Sequence, residues 1–308
     1  MFNVEKIDTF GGHKEPVYAL AKFLEKSNSS RFFSAAGDGQ VVRWNLQKPD
    51  IGELIARVPN SIYSLAFDEK RNELWVGQNY EGIHVIDPET KQELRTLKLS
   101  TAAIFDIQIY DNGERPPQVF TAGGDGVISV IDLENFVFKK HIKASEKSVR
   151  CIAINPVERE FAAGYSDNTI GIFDLRDFSL KKILKGHQNS VFALKYSPDF
   201  RYLLSGGRDA HLKVWNVEEN HVLEKDIAAH LFTINDISYS PDNQYFSTCS
   251  MDKSIKIWDA ETFKLLKVID RARHAGHGTS VNKLLWLDFE NTLISASDDR
   301  TISVWKLQ

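Results

Sequence analysis

The stretch SGGRDAHLKVWN, residues 205–216, places an aspartate in a glycine-rich turn and a tryptophan six positions later. Between them the chain alternates apolar and polar residues, which is typical of a strand with one buried face. In five further segments an aspartate likewise stands six positions before a large apolar residue, and a weaker sixth has Tyr80 in place of the aspartate and Ile86 in place of the tryptophan. The residue at the tryptophan position of each segment is called its anchor. The seven anchors are residues 44, 86, 131, 173, 215, 258 and 305, so successive anchors are 42 to 47 residues apart. This period indicates a repeat protein built from one supersecondary unit per repeat.

A second shared block precedes the turns, as in GHQNSVFALKYSPDFRYLLSGGRD, residues 186–209. It contains a Gly-His pair, a strand-like run, a Ser-Pro-Asp turn and another strand-like run. Short alternating runs of β-branched and aromatic residues, separated by Gly, Asn, Asp and Pro, predict strands, and the chain carries no sustained helical period. Each repeat is therefore expected to form four short strands, with no helical layer.

Through its Gly-His blocks, its Asp turns and the segment IKIWD (residues 255–259), the chain resembles the WD-repeat β-propellers over essentially all of its 308 residues. The resemblance implies an all-β fold, a seven-bladed β-propeller with four antiparallel strands per blade. We expect a single domain over residues 1–308. Its approximate repeats are 11–52, 53–95, 96–140, 141–182, 183–225, 226–268 and 269–308.

The two ends of the chain predict how the ring closes. The last repeat stops after its tryptophan strand and lacks an outermost strand, whereas NVEKIDTF, residues 3–10, precedes the first Gly-His pair with no blade of its own. If residues 3–10 complete the last blade, no sheet edge is left open to pair with another chain. We therefore expect an N-terminal closing strand.

Composition restricts the classes of partner. With 42% apolar and 11% aromatic residues the chain can bury a large core. A net charge of −4 does not indicate a nucleic-acid or membrane surface. Cys151 and Cys249 fall in different repeats, which argues against a disulfide framework, and the N-terminus lacks the apolar core of a signal peptide. We expect no nucleic-acid or membrane partner and a cytoplasmic location, with the nucleus left open.

Four repeats share an aspartate, a histidine, a hydroxyl and a tryptophan, for which the resemblance implies a chain of hydrogen bonds inside the blade. A buried carboxylate needs donors, and a buried indole N–H needs an acceptor. Hydrolytic triads or metal ligands are the alternative, but recurrence in four repeats favours a structural role, and we predict no catalytic residue, metal or cofactor. The four sets are His13, Ser34, Asp38 and Trp44; His187, Ser205, Asp209 and Trp215; His230, Thr248, Asp252 and Trp258; His277, Ser295, Asp299 and Trp305.

The other three repeats depart from this pattern. In the second repeat Val58 stands in place of the histidine and Tyr80 in place of the aspartate. The third has Ser100 for the histidine, and the fourth has Ser145. These blades are expected to rely on apolar packing instead.

Candidate partner-binding residues come from two positions in each repeat. In the family that the chain resembles, the residue after the first apolar position of each inner strand tends to point into the mouth of the central channel. Residues that precede the turn aspartates should lie beside them. Aromatic and arginine side chains anchor protein interfaces, although any one of these aromatics could instead pack between blades. The candidates are Tyr18, Tyr63, Phe105, Arg150, Phe192, Asn235 and Asn282, with Arg208, Met251 and Asp298 from the turns.

These features favour a non-enzymatic scaffold that binds a peptide or loop of a protein partner across the channel mouth. Two alternatives stay open. One is a structural subunit of a larger assembly that uses its rim, and the other is a propeller enzyme with chemistry in the channel. The enzyme would need carboxylates, histidines or metal ligands at the inner-strand positions, which carry mostly aromatics and amides. We therefore expect no small-molecule substrate.

Overall fold

The computed structural model describes residues 3–23, 29–49, 51–98, 101–113 and 116–307. Within these ranges the chain forms seven sheets of four antiparallel strands each, and in six of them the strands are consecutive in sequence. The predicted arrangement of a seven-bladed β-propeller with four antiparallel strands per blade is thereby confirmed. Ser100 lies outside the described residues.

The strands are numbered in chain order. Those of the first half are β1 (Val4–Phe10), β2 (Val17–Lys22), β3 (Arg31–Ala36), β4 (Gln40–Asn45), β5 (Glu53–Arg57), β6 (Ile62–Asp68), β7 (Glu73–Gln78), β8 (Ile83–Ile86), β9 (Glu93–Leu97), β10 (Ile104–Tyr110), β11 (Gln118–Gly123), β12 (Val127–Asp132), β13 (Val137–Lys143) and β14 (Val149–Asn155). Those of the second half are β15 (Glu160–Tyr165), β16 (Thr169–Asp174), β17 (Leu180–Lys185), β18 (Val191–Tyr196), β19 (Tyr202–Gly207), β20 (His211–Asn216), β21 (Val222–Ala228), β22 (Ile234–Tyr239), β23 (Tyr245–Ser250), β24 (Ile255–Asp259), β25 (Leu265–Ile269), β26 (Val281–Leu287), β27 (Thr292–Ser297) and β28 (Ile302–Leu307).

Blades are numbered from the first four-strand group, so blade 1 contains β2–β5 and blade 6 contains β22–β25. Blade 7 has the strand order β1-β28-β27-β26, because the N-terminal strand supplies its outermost member. The strand β1 is antiparallel to β28, with Val4 opposite Leu307 and Phe10 opposite Ile302. The predicted closing strand is therefore confirmed.

The outermost strands of blades 1 to 6 end beyond the approximate repeat boundaries predicted from the sequence. Blade 1 takes its fourth strand from Glu53–Arg57, beyond residue 52, and the boundary at residue 140 falls inside Val137–Lys143. The anchor of each repeat locates the three inner strands of its blade, because their buried faces produce the alternation of apolar and polar residues. The outer strands are mostly exposed and carry a weaker apolar alternation, so sequence spacing locates them poorly.

The chain divides into two compact units. Unit 1 consists of the described residues up to Val76, Val85–Arg95, and those from Asn235 onward. Unit 2 consists of Gly77–His84 and Thr96–Ile234. In each unit the core lies between the faces of successive sheets, as where Phe120 of blade 3 packs against Phe161 of blade 4 with ring centroids 4.9 Å apart.

In the described part of the chain, helical structure is confined to short connections. A one-turn helix, α1 (Arg271–His274), precedes blade 7, and a single 3-10 turn spans Phe289–Asn291. Asp270 caps α1 and pairs with Arg273, with 2.6 Å between carboxylate and guanidinium. Among the described residues no helix is long and apolar enough to cross a membrane.

Candidate functional site

The inner strands of five blades contain a β-bulge at the same position. In each, one residue is left over where the pairing with the second strand shifts register, as between Val17 and Ala19 in blade 1. Bulges redirect a side chain and are frequent beside functional sites. The leftover residues are Tyr18, Phe105, Arg150, Phe192 and Asn282. All five are among the residues that their position in the repeat had indicated.

In unit 2 three of these bulge residues form a stack. The guanidinium carbon of Arg150 lies 4.2 Å from the ring centroid of Phe105 and 5.0 Å from that of Phe192. The Nε of Arg150 also donates to Ser166 Oγ at 2.9 Å, which fixes the plane of the guanidinium. All three stacked side chains are half-buried, so part of the stack faces solvent. Such cation–π contacts keep a charge in place against apolar surface.

In unit 1 the corresponding cluster is built around two tyrosines. The rings of Tyr18 and Tyr63 have centroids 5.2 Å apart and are both half-buried. Burial, followed by the charge of Asp298, raises the pKa of Tyr18, so its hydroxyl stays protonated at neutral pH and can donate a hydrogen bond. Asn282 donates to Asp298 Oδ1 at 2.7 Å and to the carbonyl of Val17 at 3.0 Å.

The two asparagines of the candidate set are occupied within the protein. The amide of Asn235 donates to Ser280 Oγ at 3.1 Å and to the carbonyl of Val281 at 2.8 Å, which connects blade 6 to blade 7. Asn282 connects blade 7 to blade 1 through Val17. Because these amide donors already have acceptors, both side chains act as contacts between blades.

The residues before the turn aspartates lie beside the bulges. A side chain added at Gly37 would begin 3.5 Å from the ring of Tyr18, and one at Gly124 would begin 3.3 Å from that of Phe105. Arg208 and Met251 are exposed at this position, Met251 by 56%. Ser166, the acceptor for Arg150, also holds this position. It was not among the predicted residues, although the same rule that selected Arg208 would have found it.

The hydrogen-bond chain of blade 5 links four side chains. His187 Nδ1 lies 2.9 Å from Asp209 Oδ2, and His187 Nε2 lies 2.7 Å from Ser205 Oγ. The indole of Trp215 donates to the same serine oxygen at 2.8 Å. Since Ser205 accepts from the indole, its own hydroxyl can donate to Nε2, which assigns the histidine proton to Nδ1, facing the aspartate.

Two further blades repeat this geometry. The Nε2-to-Oγ distance is 2.7 Å in blade 1 and 2.8 Å in blade 7, and the indole donates to the serine at 2.7 Å and 2.8 Å respectively. In blade 6, Trp258 donates to Thr248 Oγ1 at 2.9 Å, and His230 is buried. In blade 1, burial lowers the pKa of His13 despite the neighbouring Asp38. The lowered pKa favours the neutral imidazole that this chain of hydrogen bonds requires.

We expect Asp209→Ala to lower the free energy of unfolding by about 1–3 kcal/mol at pH 7, because the substitution leaves the buried His187 without its acceptor. Burial alone would raise the pKa of Asp209, but the hydrogen bond from His187 and those from the amides of Gln188 and His211 lower it to about 2. A depressed folded-state pKa stabilises the protein above the unfolded value of about 4, and this contribution is lost as the pH falls towards 2.

The difference in the free energy of unfolding between wild type and Asp209→Ala should therefore be largest at pH 7 and decrease between pH 4 and pH 2. Urea unfolding followed by tryptophan fluorescence at several pH values measures it. Asp199→Ala, at an exposed turn of the same blade, serves as the control. An equal difference at pH 7 and pH 2.5 would contradict the assignment of the stabilising charge to Asp209.

The blades that lack one or more of the aspartate, histidine, hydroxyl and tryptophan side chains are held together by other contacts. In blade 4, Ser145 takes the place of the histidine and donates to Asp167 Oδ2 at 2.6 Å. Phe173, in the tryptophan position, stacks on Phe161 with centroids 4.9 Å apart and an angle of 12° between the rings. In blade 2 the turn residue Tyr80 is 61% exposed and has a φ of 75°.

A buried polar cluster in unit 2 was not predicted from the sequence. Glu160, 2% exposed, lies 2.8 Å from His221 Nε2 and 2.8 Å from Lys181 Nζ, and it accepts the hydroxyl of Tyr196 at 3.0 Å. Burial alone would raise the pKa of Glu160, but His221 and Lys181 lower it below its ordinary value. These residues belong to three strands and a turn, and no spacing rule connects them.

Two inner-strand aspartates that connect neighbouring blades were also not predicted from the sequence. Asp106 accepts the backbone N–H of Ile152 at 2.8 Å, which joins blade 3 to blade 4. Asp236 accepts the N–H of Leu284 at 3.0 Å and joins blade 6 to blade 7 in the same way. Both directly follow a candidate partner-binding residue on the inner strand, so the repeat spacing could have located them in the sequence.

The described residues contain no group of three His, Cys, Asp or Glu side chains placed to hold a metal ion. In blades 1, 5 and 7 the recurring histidine instead contacts the aspartate and a buried hydroxyl of its own blade. This arrangement satisfies buried polar groups.

The chain is similar to a solved structure, the "Crystal structure of WD40 beta propeller domain of Doa1", with a TM-score of 0.85 and 18% sequence identity. The likeness covers 99% of this chain and 97% of that chain, and at this identity it shows the fold alone. No curated protein sequence matches. The family model "WD domain, G-beta repeat" (WD40) matches residues 4–45, 135–174, 178–216, 221–259 and 268–306. Because these matches cover more than half of the sequence, the chain belongs to the WD40 family of β-propellers, which are generally non-enzymatic protein-interaction domains.

Proposed function

We propose that the protein is a non-enzymatic interaction scaffold that binds a peptide or loop of a protein partner through the side chains at its inner-strand bulges. The observation that carries this proposal is the recurrence of the bulge, which presents Tyr18 in unit 1 and Phe105, Arg150 and Phe192 in unit 2. Aromatic and arginine residues are the types that most often dominate binding energy at interfaces.

The charges beside the two clusters favour different parts of a partner. In unit 2, Arg150 stacks on aromatic rings and Arg208 is an exposed cation, which suits an acidic or aromatic segment. In unit 1, Asp298 and Glu15 act on Tyr18, which suits a segment with hydrogen-bond donors or basic side chains. We treat each cluster as a separate contact surface.

Site-specific photocrosslinking tests the proposal. A benzophenone side chain is placed at Phe192 or at Tyr63 and, as a control, at Val222 on the outer strand of blade 5, and the adducts from the source cells are identified by mass spectrometry. We expect the same partner to be attached from Phe192 or Tyr63 and not from Val222. Binding of that partner should weaken about tenfold or more in Phe105→Ala, a loss typical of an interface anchor.

The second candidate, a structural subunit that uses its rim, also has a specific observation in its favour. The outer strands of unit 2 carry exposed apolar side chains, and contiguous exposed apolar surface often marks an interface. These residues are Val137, Phe138, Leu180, Ile183, Val222 and Leu223. Adducts from Val222 with none from Phe192 or Tyr63 would replace the first proposal with this one.

We propose a cytoplasmic location. Its support is that both cysteines, Cys151 and Cys249, are buried thiols, as expected in a reducing compartment. Burial raises the pKa of Cys249 well above its ordinary value, so this thiol is unreactive.

A further inference from the structure

A groove of about 360 Å³ opens between blades 3 and 4 of unit 2. Its volume lies within the range of small-ligand and peptide sites. The lining residues are Tyr110, Asn112, Gln118, Pro156, Val157, Arg159, Leu175 and Arg176. The groove is distinct from the surface formed by the inner-strand bulge residues. Gln118, which lines the groove, begins β11, whereas Gly123, which pairs with Ile104 beside the bulge residue Phe105, ends this strand.

Gln118 is the feature that points to a ligand. The residue is 3% exposed, and its side-chain oxygen Oε1 is buried without a hydrogen-bond partner among the described residues. A buried acceptor without a hydrogen-bond partner destabilises the folded protein. A ligand that brings an N–H or O–H donor to the floor of the groove would remove this cost, so the groove favours a ligand with a donor.

The charges of the groove specify a second property of the ligand. Two guanidinium groups, Arg159 and Arg176, line it, and the described lining includes no carboxylate. Asp174 already pairs with Arg176, at 2.6 Å, so that charge is partly neutralised. Arg159 is exposed and stands in a turn with a φ of 53°, a left-handed conformation that is uncommon for a long side chain. The groove therefore suits an anion beside the donor.

Apolar side chains also line the groove. Asn155 accepts the backbone N–H groups of Val157 and Glu158 at 3.0 and 3.1 Å, and this turn presents Pro156 and Val157 to solvent. Val157 is 66% exposed, and Leu175 lies buried in the floor. An apolar side chain of the ligand would cover these residues.

We propose that this groove binds an acidic peptide segment in which a carboxylate meets Arg159, a backbone N–H donates to Gln118 Oε1, and a neighbouring apolar side chain packs on Val157. A peptide supplies donor, carboxylate and apolar group within consecutive residues. Charge complementarity and the unmet acceptor thus favour the same occupant.

Titration with synthetic peptides tests this proposal on the full chain. The probe is N-acetyl-Ala-Val-Glu-Ala-amide, and the matched probe has Gln in place of Glu. By NMR titration or calorimetry, we expect the Glu peptide to bind about tenfold more tightly, as a charge-assisted contact would give. Equal binding of the two peptides, or no binding of either at millimolar concentration, would overturn the proposal.

Variants locate the contacts. Arg159→Ala should weaken the Glu peptide about tenfold, and Gln118→Met, which keeps the volume but removes the acceptor, about fivefold. Arg201→Ala is the matched control, because Arg201 has the same place in the turn of blade 5 and does not line the groove. An equal loss in Arg201→Ala would contradict a site at this groove.

Two further measurements separate the alternatives. Succinate binding as tightly as the Glu peptide, with no loss in Gln118→Met, would show a simple anion site and overturn the peptide assignment. If Gln118→Met lowers the melting temperature, the exposed Arg159→Ala and its conservative counterpart Arg159→Lys decide the outcome, with partial recovery expected in the lysine variant. The test is independent of the bulge surface, since Phe105→Ala should leave the binding of the Glu peptide unchanged.

Discussion

Deletion of residues 1–10 is expected to lower the free energy of unfolding by more than about 5 kcal/mol, which is comparable to the whole stability of many domains. The deletion removes Phe10, which stacks on Trp44 with centroids 5.2 Å apart, and Val4, which is buried in the core cluster shared by blades 6 and 7. Loss of a buried phenylalanine alone costs about 3–5 kcal/mol. The deletion also leaves β28 as an unpaired edge that can pair with another chain.

Urea unfolding and size-exclusion chromatography measure both effects. The truncated chain should unfold at a lower urea concentration and form oligomers, and a synthetic peptide of residues 1–10 should reverse the oligomerisation. If the truncated chain does not stay soluble, Phe10→Ala should still lower stability by about 3–5 kcal/mol. Thr9→Ala, at an exposed position of the same strand, is the control. Unchanged stability of Phe10→Ala would contradict the closing role of β1.

The second large effect is expected for Glu160→Ala in unit 2. Removing one member of a buried ion pair costs about 3–5 kcal/mol, because the remaining partner is left buried and unpaired. His221 and the hydroxyl of Tyr196 lose their shared partner, and both are buried. His221 also lies in a turn, with a φ of 57°.

Thermal and urea unfolding of Glu160→Ala measure the cost. Glu158→Ala, two residues away and exposed, is the matched control and should change stability by no more than about 0.5 kcal/mol. Hydrogen exchange should show faster opening around the turn of Asn220 and His221 in Glu160→Ala. A cost no larger than that of the control would mean that solvent replaces the lost contacts of Glu160.

The positions of the bulge residues could be predicted from the sequence because they depend on the repeat. Once the first apolar residue of each inner strand is known, the next residue follows, as Tyr18 follows Val17 and Phe192 follows Val191. Their contacts could not be predicted. Arg150 stacks between two phenylalanines of neighbouring blades, whereas Asn235 turns its amide to Ser280, and both positions satisfy the same rule.

The sequence by itself determined the number of blades, the four strands of each, the closing strand and the residues of the polar chains in blades 1, 5 and 7. These features are encoded by local alternation and by spacing within one repeat, both of which can be read along the chain. Only the tertiary structure decided the outer-strand boundaries, the cluster around Glu160 and the groove with the unmet oxygen of Gln118. Each of these depends on side chains from different strands or blades, which meet because sheets pack face to face.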